Sequence, residues 1–202
     1  PTNVASLVLT SSGDINDQAG TILTVTGVAD LTANAGAGNI VLGDNGGDLT
    51  NFGSLDLTAA TATITEDSAT QMAGGTVTTL NLTANGDITD SGSIQVTGTA
   101  TFDAGANNIN LNEALNDFAT VSVTNAGDAT FVDTSGIDLG GITATGTVDV
   151  TAGGAISDSG SVNAADLVTS SDGGTTLNFG HTVDSFSATN ATGGAVSINN
   201  TA

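Results

Sequence analysis

Aliphatic residues in this chain recur in pairs separated by a single residue. Leu7-Val8-Leu9, Leu55-Asp56-Leu57, Leu80-Asn81-Leu82, Val121-Ser122-Val123 and Val148-Asp149-Val150 each set two aliphatics on one face of an extended segment. Thr, Val and Ile dominate these runs, as strands require. Gly-Asp, Asn-Gly, Gly-Gly and Ser-Gly pairs lie between them and suit tight turns. No stretch carries an i, i+3, i+4, i+7 apolar pattern long enough for a helix. The pattern predicts an all-β chain of many short strands.

The strands repeat on two scales. Gly13-Asp14-Ile15-Asn16-Asp17 returns as Gly86-Asp87-Ile88-Thr89-Asp90-Ser91-Gly92, and again as Gly154-Ala155-Ile156-Ser157-Asp158-Ser159-Gly160. The offsets are 73 (86 − 13) and 68 (154 − 86) residues. Aligning the three copies yields the apolar anchors Ile15, Ile40, Ile64, Ile88, Ile109, Phe131, Ile156, Leu177 and Ile198. These are 21–25 residues apart, about 23 on average. A step of that size with period-2 alternation at each anchor is one turn of a β-solenoid, because a single unit cannot bury its own apolar face and must stack on neighbours. The expected fold is a parallel β-helix of about nine turns. It is organised as one domain of three super-repeats of about 68 residues, approximately 7–79, 80–147 and 148–202.

Composition narrows the chemistry. The chain has 202 residues, no Lys or Arg, 21 Asp and Glu, one His and no Cys, for a formal net charge of −21. Phosphate recognition rests on cationic side chains, so nucleic acid and anionic lipid surfaces are excluded as partners. Thiol chemistry is excluded outright. No apolar run reaches the 18 residues of a membrane-crossing segment, which predicts no membrane insertion. The chain starts at Pro1, not Met, and reads as a mature form or a piece of something longer.

The string Gly86–Phe102, together with Asn116-Asp117-Phe118-Ala119-Thr120-Val121-Ser122-Val123, resembles the repeats of very large bacterial exoproteins of the filamentous-haemagglutinin type. That resemblance implies a right-handed parallel β-helix exported to the cell surface, working as an adhesin, fibre or stalk. It brings no catalytic residues, and the partner it implies is a host or neighbouring-cell surface or glycan receptor. Two alternatives stand beside it. One is a filament subunit that self-associates end to end by strand pairing at its open edges. The other is a carbohydrate-binding or glycan-degrading β-helix module.

Candidate chemistry is sparse. Asp17, Glu66, Asp90 and Asp158 each follow an anchor by two residues, and Glu66 and Asp90 fall on what the spacing makes adjacent turns. Two such carboxylates repel, and a bridging Ca²⁺ would relieve them. The competing and favoured reading is that these acids cap local turns and face water. Gly36–Asp44 departs from the Ca²⁺-binding nonapeptide, since Ile40 stands where a ligand Asp is needed. Thr-x-Thr pairs such as Thr24/Thr26, Thr76/Thr78 and Thr99/Thr101 have different offsets from their anchors, which argues against one regular ice-binding face. Lyases of this shape use Arg or Lys, which are missing. A hydrolase needs two carboxylates in one irregular cluster, whereas these acids recur with the repeat. The lone His181 defines neither a triad nor a metal site and is expected on a surface turn. No catalytic residue, cofactor site or enzymatic activity is expected.

Overall fold

A computed structural model describes residues 2–201. Eighteen strands, from Thr2–Val4 to Val196–Asn200, belong to one sheet, and every pairing between them is parallel. The only helical element among the described residues is a single 3₁₀ turn at Asn34–Gly36. The chain is a β-solenoid.

The winding is read from direct partners. Ile15, Ile40, Ala62, Leu80, Ala100, Val121 and Leu139 succeed one another in register. The column continues through Asp158, and Leu177 lies against Ile198. These are ten levels. The 183 residues from Ile15 to Ile198 are therefore crossed in nine steps, where the anchor spacing predicted eight. From Ala62 onward, 136 residues (198 − 62) make seven steps of about 19 residues. At the usual strand separation, ten levels span about 43 Å.

The expected nine turns of 21–25 residues are thus corrected to about ten shorter ones. Ile15–Ile40, Ile88–Ile109 and Leu177–Ile198 do pair as the anchors required. Ile64, however, lies against Leu82, and Ile88 lies against Thr70. Phe131 lies against Val150, and Ile156 against Ile137. The physical reason is that Ala62, Ala100, Ala129, Thr70 and Thr175 fill core rungs. Following only the largest aliphatics passes over these rungs, skipping one turn and shifting others by two residues.

In mid-rod each turn supplies three runs. Gln95–Val96, Thr99–Asp103 and Ile109–Leu111 lie against Asp117–Phe118, Thr120–Asn125 and Ala129–Phe131 of the next turn. Alternate residues point inward and make continuous ladders. Ile64, Leu82, Phe102, Val123, Ile142 and Val162 form one, and Ile88, Ile109, Ala129, Val148 and Leu167 form another, all buried. Phe102, Phe118 and Phe131 meet in the centre, with ring centroids 6.0–6.3 Å apart and two of the three contacts edge-to-face.

The glycines of the repeated Asp-Ser-Gly corner have a steric cause. A Cβ on Gly92 would sit 1.9 Å from the Ala73 carbonyl oxygen, and one on Gly160 would sit 2.3 Å from that of Gly140. At both corners the chain presses on the backbone of the preceding turn, and only glycine fits.

Candidate functional site

The recurring polar feature is a clamp between turns, built around the acid of the Asp-Ser-Gly corner. Asp158 accepts the backbone N–H groups of Asn178 (2.9 Å) and Phe179 (2.7 Å), both on the next turn. His181 is fully buried. Its Nε2 lies 3.0 Å from Asp158 Oδ2, and its Nδ1 accepts the Val162 N–H at 2.9 Å. A ring nitrogen that accepts a backbone N–H carries no proton, so the proton sits on Nε2 and is donated to Asp158. The expectation of a surface turn for His181 is overturned. One residue type serves as acceptor and donor at once, joining two turns, and that double duty draws the ring inside.

Asp90 heads the same arrangement one unit earlier. It accepts the Asn112 and Glu113 N–H groups at 3.0 and 3.2 Å. Asn116, also fully buried, donates Nδ2–H to Asp90 Oδ2 at 2.6 Å, while its Oδ1 accepts the Ile94 N–H at 2.9 Å. Asn116 and His181 are thus chemical equivalents. Sequence reasoning missed Asn116 because an Asn and a His do not align by type. The signal was present in spacing, since each follows its Asp by 26 (116 − 90) or 23 (181 − 158) residues.

The first unit departs from the pattern. Asp17 Oδ2 accepts the Gly43 N–H at 3.0 Å, and Asp48 Oδ1 accepts the Thr21 N–H at 2.9 Å. Asp48 therefore stands where Asn116 and His181 stand, but it has no N–H to give. Burial works against its charge, yet the N–H donors of Asn45, Thr21 and Gly20 hold its carboxyl below the usual range, so it is ionised. Asp17 Oδ1 is left buried without a hydrogen-bond partner. Asp17, Asp44 and Asp48 each bring one carboxylate oxygen within 4.8 Å of the others. Hard cations such as Ca²⁺ take ligands of this kind. Of the four acids expected around Ca²⁺, Asp17 alone belongs to this group.

The missing donor makes a direct prediction. Asp48→Asn rebuilds the Asp90–Asn116 arrangement, supplies Asp17 with an N–H and removes a neighbouring like charge. It forfeits the Asn45 N–H bond to Asp48 Oδ2. In the presence of chelator the variant should be about 1–2 kcal/mol more stable than the parent, read as a higher melting midpoint. An unchanged or lower midpoint would show that Asp17 Oδ1 needs no donor.

Glu66 is not a turn acid. It closes the strand Leu49–Glu66, is 2% exposed, and lies against Ala84, while Asp90 lies against Met72. The expected side-by-side pair of Glu66 and Asp90 does not form, because the step between their turns is 18 residues and not 24. Glu66 Oε2 accepts the Phe52 N–H at 3.1 Å, and Oε1 has no partner. Asp133 repeats the device, taking the Phe118 N–H on Oδ2 at 2.6 Å and the Ser135 N–H on Oδ1 at 2.8 Å. Burial pushes both carboxyls up, Glu66 to about 7, against the pull of these donors.

The acids expected to cap local turns therefore do something else. The partners of Asp17, Asp90 and Asp158 lie 20–26 residues away, on the adjacent turn, and that of Glu66 lies 14 residues away. Each clamp fixes the register of two turns, which the uniform ladder of β-branched and aliphatic residues would otherwise leave free to slip.

The repeat has a counterpart among known families. Repeats of unknown function (DUF5649) match residues 1–56, 58–125 and 126–199. The chain belongs to this family. No curated protein and no solved structure matches it. The second and third DUF5649 copies each hold one clamp, Asp90 with Asn116 and Asp158 with His181, while the first sets Asp17 and Asp48 in the same places with no bond between them. The buried strand acids Glu66 and Asp133 open the second and third copies.

Proposed function

We propose that this chain is a structural, non-catalytic segment of an extracellular bacterial fibre, adhesin or stalk. The observation that carries the reading is the single parallel sheet through all ten levels, tied by side-chain clamps in the second and third family copies. Its polar groups are spent on joining turns: Asp90, Asp158, Asn116 and His181 all direct their donors and acceptors at the neighbouring turn. A stiff rod that spaces or presents something else is what such an arrangement does best. The surface adds to this. A net charge of −21 without one Lys or Arg keeps a strand-rich rod dispersed and leaves trypsin-like proteases no site. The resemblance of residues 86–102 to exoproteins of the filamentous-haemagglutinin type supports a place at the bacterial cell surface. The test is antibody labelling of intact producing cells, followed by shaving with a broad-specificity protease that needs no Lys or Arg. Label on the outside that shaving removes is expected. A chain recovered only from the cytosol would end the proposal.

A further inference from the structure

Two Asn residues in the chain precede Gly, Asn45 and Asn85, and every other Asn precedes a residue with a Cβ. An Asn side chain is open to attack by the backbone nitrogen of the next residue. Gly leaves that nitrogen uncrowded, which makes such an Asn chemically labile. As sequence the two dipeptides are equivalent. The fold makes them different.

Asn45 and Gly46 lie in the exposed run 44–47, just past the strand Asn39–Leu42. The bonds that shape this turn are its own. The Asn45 N–H donates to Asp48 Oδ2 at 3.0 Å, and the Asp48 N–H donates to the Asn45 carbonyl at 3.1 Å. A Cβ placed on Gly46 or Gly47 would meet nothing within 4 Å, so no neighbouring turn presses on either glycine and the main chain has room to rotate. The Asn45 amide donates to Asp44 Oδ1 at 3.0 Å, an exposed bond that water readily replaces.

Asn85 is pinned from both sides. Its N–H donates to the Glu66 carbonyl at 3.1 Å, and the Asp87 carbonyl accepts the Thr70 N–H at 2.9 Å. Both partners belong to the preceding turn. Gly86 lies between these bonds, packed so closely that a Cβ there would sit 2.7 Å from the Ala69 nitrogen. Bringing the Gly86 nitrogen onto Asn85 Cγ would lift this corner off the turn beneath it.

We propose that the fold makes Asn45 a site of spontaneous deamidation and shields Asn85. The Gly46 nitrogen gives up its proton and bonds to Asn45 Cγ. The Cγ–Nδ2 bond breaks, and ammonia leaves with that proton. Water then opens the cyclic imide. Opening at Cγ leaves Asp, and opening at the α-carbonyl leaves isoaspartate, whose main chain runs through Cγ. In isoaspartate the carbonyl that accepts the Asp48 N–H becomes a free carboxylate, so the turn is lost. Either product adds a negative charge beside Asp44 and Asp48. The reaction needs only the folded chain and water, whatever the rod supports.

The test incubates the 202-residue chain in mildly alkaline buffer, folded and in urea, and weighs its peptic peptides by mass spectrometry. In the folded chain Asn45 should lose its amide at least about tenfold faster than Asn85, because only Asn85 must wait for a local opening. In urea, where the packing is gone, the two should convert at comparable rates. Gly46→Ala crowds the attacking nitrogen yet fits the open turn, so it should slow Asn45 several-fold. Far-ultraviolet circular dichroism checks that this variant keeps its strands. A folded chain in which Asn85 converts as fast as Asn45, or in which Asn45 keeps its amide as long as Asn51 does, overturns the proposal. So does a preference for Asn45 that survives in urea.

Discussion

Phe118→Ala should destabilise the chain by about 3–5 kcal/mol, the range for removing a fully enclosed phenyl ring. The ring touches both Phe102 and Phe131 at centroid distances of 6.3 Å, and all three are fully buried. Its loss leaves two other rings without an edge-to-face partner, and the stacked turns cannot close the hole because clamps on either side fix their spacing. Urea unfolding would read the change. Phe118→Leu, which keeps most of the volume, should cost less than about 1.5 kcal/mol. Equal effects of the two variants would mean that the Phe118 site collapses freely and that the three-ring cluster carries no special weight.

Glu66 makes the fold sensitive to pH, and the sign follows from its carboxyl. Folding raises it from 4.5 to about 7 because the buried site disfavours the charge. The folded chain therefore holds a proton between these values that the unfolded chain has released. The contribution is fully present below pH 4.5 and is lost as pH rises through 7. The full shift corresponds to about 3 kcal/mol. Glu66→Gln removes the ionisation, so it should match the parent near pH 4 and exceed it by up to about 3 kcal/mol at pH 8. For a chain of this size that is a midpoint roughly 6–12 °C higher. The comparison isolates Glu66, since the other 20 acids titrate in both proteins. A difference that stays constant with pH would show that Glu66 is ionised throughout.

Strand character and stacking were legible from period-2 alternation and from the recurrence of the Asp-Ser-Gly corner. Both signals are local or strictly periodic, and neither depends on which residue faces which. The number of turns was not legible. Ala62 and Thr70 occupy core rungs as fully as Ile64 and Ile88 do, and a search for large aliphatics passes over them. Glu66 shows the same limit. Two residues after an anchor it resembled Asp90, but an inward-facing end of a long strand and an outward corner share that spacing.

The clamps were half visible. Asp17, Asp90 and Asp158 stood out because they repeat, whereas Asn116, His181 and Asp48 did not, because the second position keeps a geometry and not a residue type. An amide and an imidazole both offer an acceptor and a donor, so either can bridge a backbone N–H and a carboxylate. Only their placement in space makes them one device, and only that placement exposes Asp48 as the member that lacks the donor.

The sequence by itself determined that this chain is all-β, parallel and stacked, since alternation and repetition leave a lone unit unable to bury its apolar face. The tertiary structure decided the pitch of the winding, the burial of His181 and Glu66, and the partners of each corner acid. Those depend on register between turns, and register is set by the sum of small residues, corners and clamps along some 20 residues of chain. No short window of sequence contains that sum.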